Sequence, residues 1–173
     1  IPTCSSCAAG LNGTDCHVLT FPNLKEFNHV SYVTGFADYL TFKGEQITLD
    51  NISGAFTLYQ SPSIDIQVFQ ITCNIGSCVI AVYIQYESIS LAIASSGYEN
   101  KLPIVYLNKT KIDFEELNTV LPEIQLTLLS MNEVHFNSSL LDLRILAQAN
   151  VLDIALISNS VCTNGILCPG IYY

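Results

Sequence analysis

Polar and apolar residues alternate with a period of two along much of this chain. Ile64-Asp-Ile-Gln-Val68 sets Ile64, Ile66 and Val68 on one face, with Asp65 and Gln67 on the other. Ile124-Gln-Leu-Thr-Leu128, Ile47-Thr-Leu49, Phe56-Thr-Leu58 and Ile89-Ser-Leu-Ala-Ile93 repeat the pattern. Successive side chains of a strand point to opposite faces, so each run predicts a strand with one buried side. Val79 to Tyr86 is apolar on both faces apart from Gln85, which predicts a central strand. Turn signals fall between the runs at Lys43-Gly44, Ser53-Gly54, Ser61-Pro62, Ser96-Gly97 and Asn164-Gly165. That rhythm is the one an all-β sandwich or barrel produces.

Helix is the minority expectation. Asp113 to Leu121 has a capping acid, Glu115 and Glu116 in its first turn, and Pro122 as a stop. Residues 23–30 have room for one more turn. The segment from Leu140 to Ser158 fits either state by composition, but an internal match favours two strands joined near Gln148 to Asn150. Leu141-Asp-Leu-Arg-Ile-Leu-Ala147 aligns with Leu152-Asp-Ile-Ala-Leu-Ile-Ser158, and Ile124 to Ser130 has the same shape. The intervals between these matches are too irregular for a solenoid repeat. The expected fold is an all-β antiparallel sandwich or jelly roll with at most one or two short helices, and a β-solenoid is the alternative. Residues 1–16 are small, polar and cysteine-rich, and read as an N-terminal arm or cap. Residues 17–173 contain no linker and read as a single β-rich domain.

Composition narrows the setting. Of the 173 residues, 50% are apolar and only 12% are charged, half the typical charged share of about 25%. The surface must therefore be covered by neutral polar side chains, sugar or other protein. The formal charge is −9, from 15 acids against 6 bases, and Arg144 is the sole arginine. Five scattered lysines and one arginine are a poor means of displacing counterions from phosphates, so nucleic-acid binding is disfavoured, and anionic membrane surfaces likewise. No run reaches the roughly 18 apolar residues of a membrane span, because Asp142, Arg144 and Asp153 interrupt the best one. The start at Ile1 fits a mature chain whose leader has been removed.

Seven cysteines lie in three clusters. Cys73-Asn-Ile-Gly-Ser-Cys78 and Cys162-Thr-Asn-Gly-Ile-Leu-Cys168 each frame a turn, so Cys73–Cys78 and Cys162–Cys168 are the expected disulfides. Cys4, Cys7 and Cys16 remain as an odd set, which leaves a thiol free or paired with another chain. Cys4 and Cys7 have zinc-knuckle spacing, but the adjacent Cys16 and His17 diverge too much to close a tetrahedral site. Metal ligands and cofactors are not expected. Four sequons, at Asn12, Asn51, Asn108 and Asn137, exceed the roughly two that the Asn, Ser and Thr content gives by chance. Cysteines, sequons and low charge together point to an oxidising, glycosylating route and a secreted or extracellular location.

Signals for catalysis are weak. Nucleophile-elbow, zinc-protease and phosphate-loop motifs are absent from the sequence. His17 reads as structural, His135 as a solvent-side strand residue beside a sequon, and His29 has no motif around it. Asp142 and Asp153 hold matched positions in the two similar strands. They would lie side by side if those strands were neighbours, fitting a solvated face, Ca²⁺ or a carboxylate pair in that order. Tyr98, Tyr106, Tyr172 and Tyr173 near loops and ends suggest packing or interface roles. The expected role is non-enzymatic: a structural or adhesive module, a repeating subunit of an extracellular filament or coat. Its partners would be other copies of itself or another extracellular protein, and it would carry N-linked glycans. The alternative is a lectin-like ligand-binding domain or the ectodomain of a surface glycoprotein.

Overall fold

The computed structural model describes residues 11–12, 18–19, 30–74, 76–96, 103–113, 125–130, 133–148, 151–158 and 162–168. Every regular element among them is a strand. Near the start, β1 (Leu11–Asn12) and β2 (Val18–Leu19) form a two-stranded ladder that joins residues on either side of position 16.

The middle of the chain folds into a six-stranded sheet. Its strands are β6 (Gly54–Ser61), β7 (Ile64–Cys73), β8 (Gly76–Tyr86), β9 (Ile89–Ala94), β10 (Ile104–Leu107) and β11 (Thr110–Ile112). They follow one another in sequence order, each antiparallel to the last. The second sheet has seven strands. It runs β12 (Gln125–Ser130), β13 (Glu133–Asn137), β14 (Leu141–Gln148) and β15 (Val151–Ser158), then β3 (Val30–Val33), β4 (Asp38–Leu40) and β5 (Gln46–Thr48). The chain thus starts one sheet, leaves to build the other, and returns to pair β15 with β3. Neither sheet closes on itself, and the architecture is a β-sandwich. Sequential hairpins in two facing sheets exclude the solenoid, whose coils would stack in parallel. They also lack the crossed connections of a jelly roll.

The period-two pattern explains the packing. Ile64, Ile66 and Val68 of β7 are buried, and Asp65 and Gln67 are half-exposed. Leu141, Leu143, Ile145 and Ala147 of β14 point inward, where register pairs them with Ser158, Leu156, Ile154 and Leu152 of β15. These side chains and their counterparts in the six-stranded sheet form one continuous core. Aromatic residues bridge the layers: the Tyr86 and Phe136 rings meet edge to face at 6.5 Å, and Phe42 and Tyr59 at 6.1 Å. The Tyr59 hydroxyl also bonds Ser158 Oγ across the core at 2.6 Å. β8 is central, as its apolar run predicts, and Leu140 to Ser158 contains two strands, as the internal match predicts. The helical expectations at 113–121 and 23–30 lie outside the described residues, apart from the end residues Asp113 and Val30.

Two-residue turns join β6 to β7, β8 to β9 and β10 to β11. Asn108 and Lys109 take φ of 46° and 71° between Leu107 and Thr110, the left-handed pair that matches strand twist. Residues 162–168 close the outer edge of β6. The Thr163 N–H donates to Gln60 O and the Gln60 N–H to Asn164 O; the Ile166 and Leu167 N–H groups donate to Thr57 O and Leu58 O. Gly165 permits this approach, because a Cβ there would stand 2.5 Å from Leu58 O and its φ is +120°. The Cys162–Cys168 disulfide staples the segment, and Cys73–Cys78 staples the β7–β8 tip. Both bridges are the ones predicted from spacing. An edge strand covered in this way is withdrawn from pairing with other chains.

Candidate functional site

Three surface features are built by this topology. The first is the outer face of the six-stranded sheet. Cross-strand register places Thr57, Gln67, Tyr83, Ala92, Tyr106 and Lys111 in one row. The adjacent row is Ala55, Phe69, Ala81, Ala94 and Ile104. A third row, Gln60, Asp65, Gln85 and Ser90, gathers the polar groups at one margin. Across these three rows the charged side chains are Asp65 and Lys111. A solvent-facing sheet surface ordinarily alternates to polar and charged residues. Here alanines form a flat floor, and Phe69, Tyr83 and Tyr106 rise from it. Phe69 is 40% exposed. The Tyr83 hydroxyl donates to Gln85 Oε1 at 2.8 Å, so the ring is held by its own strand.

The second feature is the end of the sandwich that carries the β7–β8 tip. Gln70 ties β4 and the loop between β5 and β6 together there from a buried position. Its Oε1 accepts the Tyr39 hydroxyl at 2.8 Å, and its Nε2 donates to Leu49 O and Ile52 O at 2.6 Å each. Every polar atom of this amide is therefore satisfied, as burial requires. Burial pushes the Tyr39 phenol far above its ordinary pKa. Two backbone bonds tie in the β3–β4 turn, Val79 N–H to Gly35 O and Leu49 N–H to Ala37 O. Around this clamp, Phe36, Ile52 and Ile71 are each more than 40% exposed. Asn51 lies in the same loop, with φ of 57°.

The third is a polar cluster on the outer face of the seven-stranded sheet. His135 Nε2 lies 2.7 Å from Asp142 Oδ1, and Arg144 Nε is 3.9 Å from the same oxygen. Thr127 stands opposite His135 in the ladder, and no hydrogen bond joins the two among the described residues. The carboxylate orients the imidazole without a nucleophile bonded to it. His135 lies on the solvent side of β13, opposite the buried Val134 and Phe136, at 16% side-chain exposure. The expectation that Asp142 and Asp153 would be neighbours is corrected by the register. β14 and β15 run antiparallel, so Asp142 faces Ile157 and Asp153 faces Leu146. The two carboxylates sit four residues apart along the ladder, roughly 13 Å. Asp153 is buried and accepts the Gly35 N–H at 2.6 Å. It holds a loop. Among the described residues no three metal-ligating side chains cluster.

The sequons divide by setting. Asn51 and Asn108 occupy exposed left-handed turns, Asn137 is half-buried at the end of β13, and Asn12 lies in β1. Asn108 Oδ1 accepts from the Ser90 N–H and hydroxyl, and its Nδ2 carries no hydrogen bond among the described residues. Tyr106 lies in β10. Cys4, Cys7, Cys16, His17, His29, Glu115, Glu116, Tyr98, Tyr172 and Tyr173 lie outside the described residues. Phe69, Tyr83 and the alanine floor were missed as a surface. Their signal was present in Val79 to Tyr86, where residues apolar on both faces read equally well as a buried strand or as an uncharged outer face.

No protein-family model matches the chain, and no curated protein matches it. The two disulfides are compatible with an extracellular setting. Among the described residues no helix is long and apolar enough to cross a membrane.

Proposed function

We propose that this chain is a secreted, N-glycosylated, disulfide-stabilised structural or adhesive module that docks on other copies of itself in an extracellular filament or coat. The observation that supports this reading is the outer face of the six-stranded sheet. Interfaces are depleted in charge and enriched in Tyr and Phe at their centres, and this face has that composition. Six strands at about 4.8 Å spacing, on average about 23 Å long, give a platform of roughly 600 Å². A standard stable interface takes about 800 Å² per partner. One such contact is therefore weak, and repetition in an array supplies the missing affinity.

Sedimentation of the secreted protein across a concentration series tests this. Self-association that Tyr83→Glu abolishes is expected, because a carboxylate at the centre of the platform would be buried unpaired. A wild-type chain that stays monomeric at every concentration contradicts the proposal.

A further inference from the structure

The apolar end at the Gln70 clamp needs a cover of its own, and we propose that an N-linked glycan on Asn51 supplies it by packing over Ile52 and Ile71. This rests on the reading that the chain matures in a glycosylating compartment. Ile52 is 44% exposed and Ile71 43%, the two most exposed large hydrophobic residues described. Both adjoin the sequon. Ile52 is its middle residue, and Ser53 Oγ accepts the Thr72 N–H at 2.8 Å and lies 3.0 Å from Thr72 Oγ1. Ile71 is thus one residue from the point where the sequon crosses β7. Asn51 itself is exposed, and its side-chain amide carries no hydrogen bond among the described residues, which leaves Nδ2 open to carry sugar.

The loop is held in place rather than free to fold over the patch. Gln70 grips the Leu49 and Ile52 carbonyls, and a Cβ on Gly76 would collide with the Asp50 carboxylate. Cover must therefore come from outside the loop backbone. A partner protein would have to approach past Asn51, where any attached sugar obstructs it. A sugar ring presents a non-polar C–H face as well as hydroxyls, so the first residues of the glycan can bury apolar surface while keeping the end hydrated. Exposed apolar groups clustered at one site mark a surface that something covers. Ile71 shares the outer face of β7 with Phe69, so a glycan over Ile71 would border the platform and leave the rest of it open for docking.

The full chain, secreted from glycosylating cells, is compared with Asn51→Gln and with Asn108→Gln, a sequon at the opposite end of the sheet. Glycopeptide mapping reads occupancy, and fluorescence of a dye that binds exposed apolar surface reads the cover. Asn51 should carry sugar, and Asn51→Gln should raise dye fluorescence several-fold while Asn108→Gln stays at the wild-type level. Adding Ile52→Thr and Ile71→Thr to Asn51→Gln should restore the low signal. If Asn51→Gln is not secreted, enzymatic deglycosylation of the folded wild type gives the same comparison. An occupied Asn51 whose loss leaves fluorescence unchanged overturns the inference. A bare Asn51 beside occupied sequons elsewhere overturns it too, but leaves the extracellular reading standing. Sugar on no sequon sinks both.

Discussion

Replacing Gln70 with leucine keeps the volume of a buried side chain and removes three hydrogen bonds. The Tyr39 hydroxyl, fully buried, loses its acceptor. Leaving such a group unpaired costs about 1–3 kcal/mol. The Leu49 carbonyl is half-buried and adds about 0.5–1.5 kcal/mol. The Ile52 carbonyl belongs to an exposed residue, so water replaces the lost bond at little cost. Leucine recovers about 1 kcal/mol of apolar burial. The net loss is about 0.5–3.5 kcal/mol, centred near 2, a large part of the 5–15 kcal/mol that holds an ordinary domain together. Urea unfolding with disulfides intact should show a lower midpoint at unchanged slope. The origin of the loss is checked by a second change. Tyr39→Phe removes the stranded hydroxyl, so Tyr39→Phe/Gln70→Leu should be less destabilised than the two single changes added together, by about 1 kcal/mol or more. Strict additivity, or a Gln70→Leu loss below about 0.5 kcal/mol, refutes the clamp.

Alkaline pH should destabilise the fold through its tyrosines. Burial raises the pKa of Tyr39 and Tyr32 in the folded state, so the unfolded chain releases protons first, near the ordinary phenol value of about 10. This stabilisation is complete below that pH and is lost as pH rises above it; Tyr39→Phe should flatten the decline in urea midpoint between about pH 8 and 11. Gly35→Ala should cost about 1–3 kcal/mol by overpacking, since the new methyl meets the Val151 side chain, and Val151→Ala should relieve part of that loss in the same urea assay. Cys162→Ser/Cys168→Ser opens a loop whose ends are 6 residues apart and should cost roughly 2 kcal/mol by lost chain constraint, with faster amide exchange at Gln60 and Leu167.

Much of the sandwich could be read from alternation, because a strand with one wet face writes its burial directly into the sequence. Ile64 to Val68 is the clearest case. Its odd and even positions have the expected fates. The Leu140 to Ser158 hairpin followed from two matching strands, but matching positions did not imply contact. Antiparallel pairing reverses one strand and sends Asp142 and Asp153 to different neighbours. The short strands β3 and β4 offered too few residues to show a period. The Gln70 clamp was not legible, since its three bonds reach residues 18 to 31 positions away. The uncharged outer face of the six-stranded sheet was hidden for a different reason. An apolar outer face and a buried strand present the same letters, and only the register across five neighbouring strands tells them apart.

Everything functional in this account depends on maturation outside the reducing cytosol. Intact mass of the secreted protein, measured before and after deglycosylation and reduction, tests that most directly. Loss of glycan mass with one treatment, and with the other release of at least the four thiols of Cys73, Cys78, Cys162 and Cys168, is the expected result. Seven thiols already free and a mass unchanged by deglycosylation would contradict it.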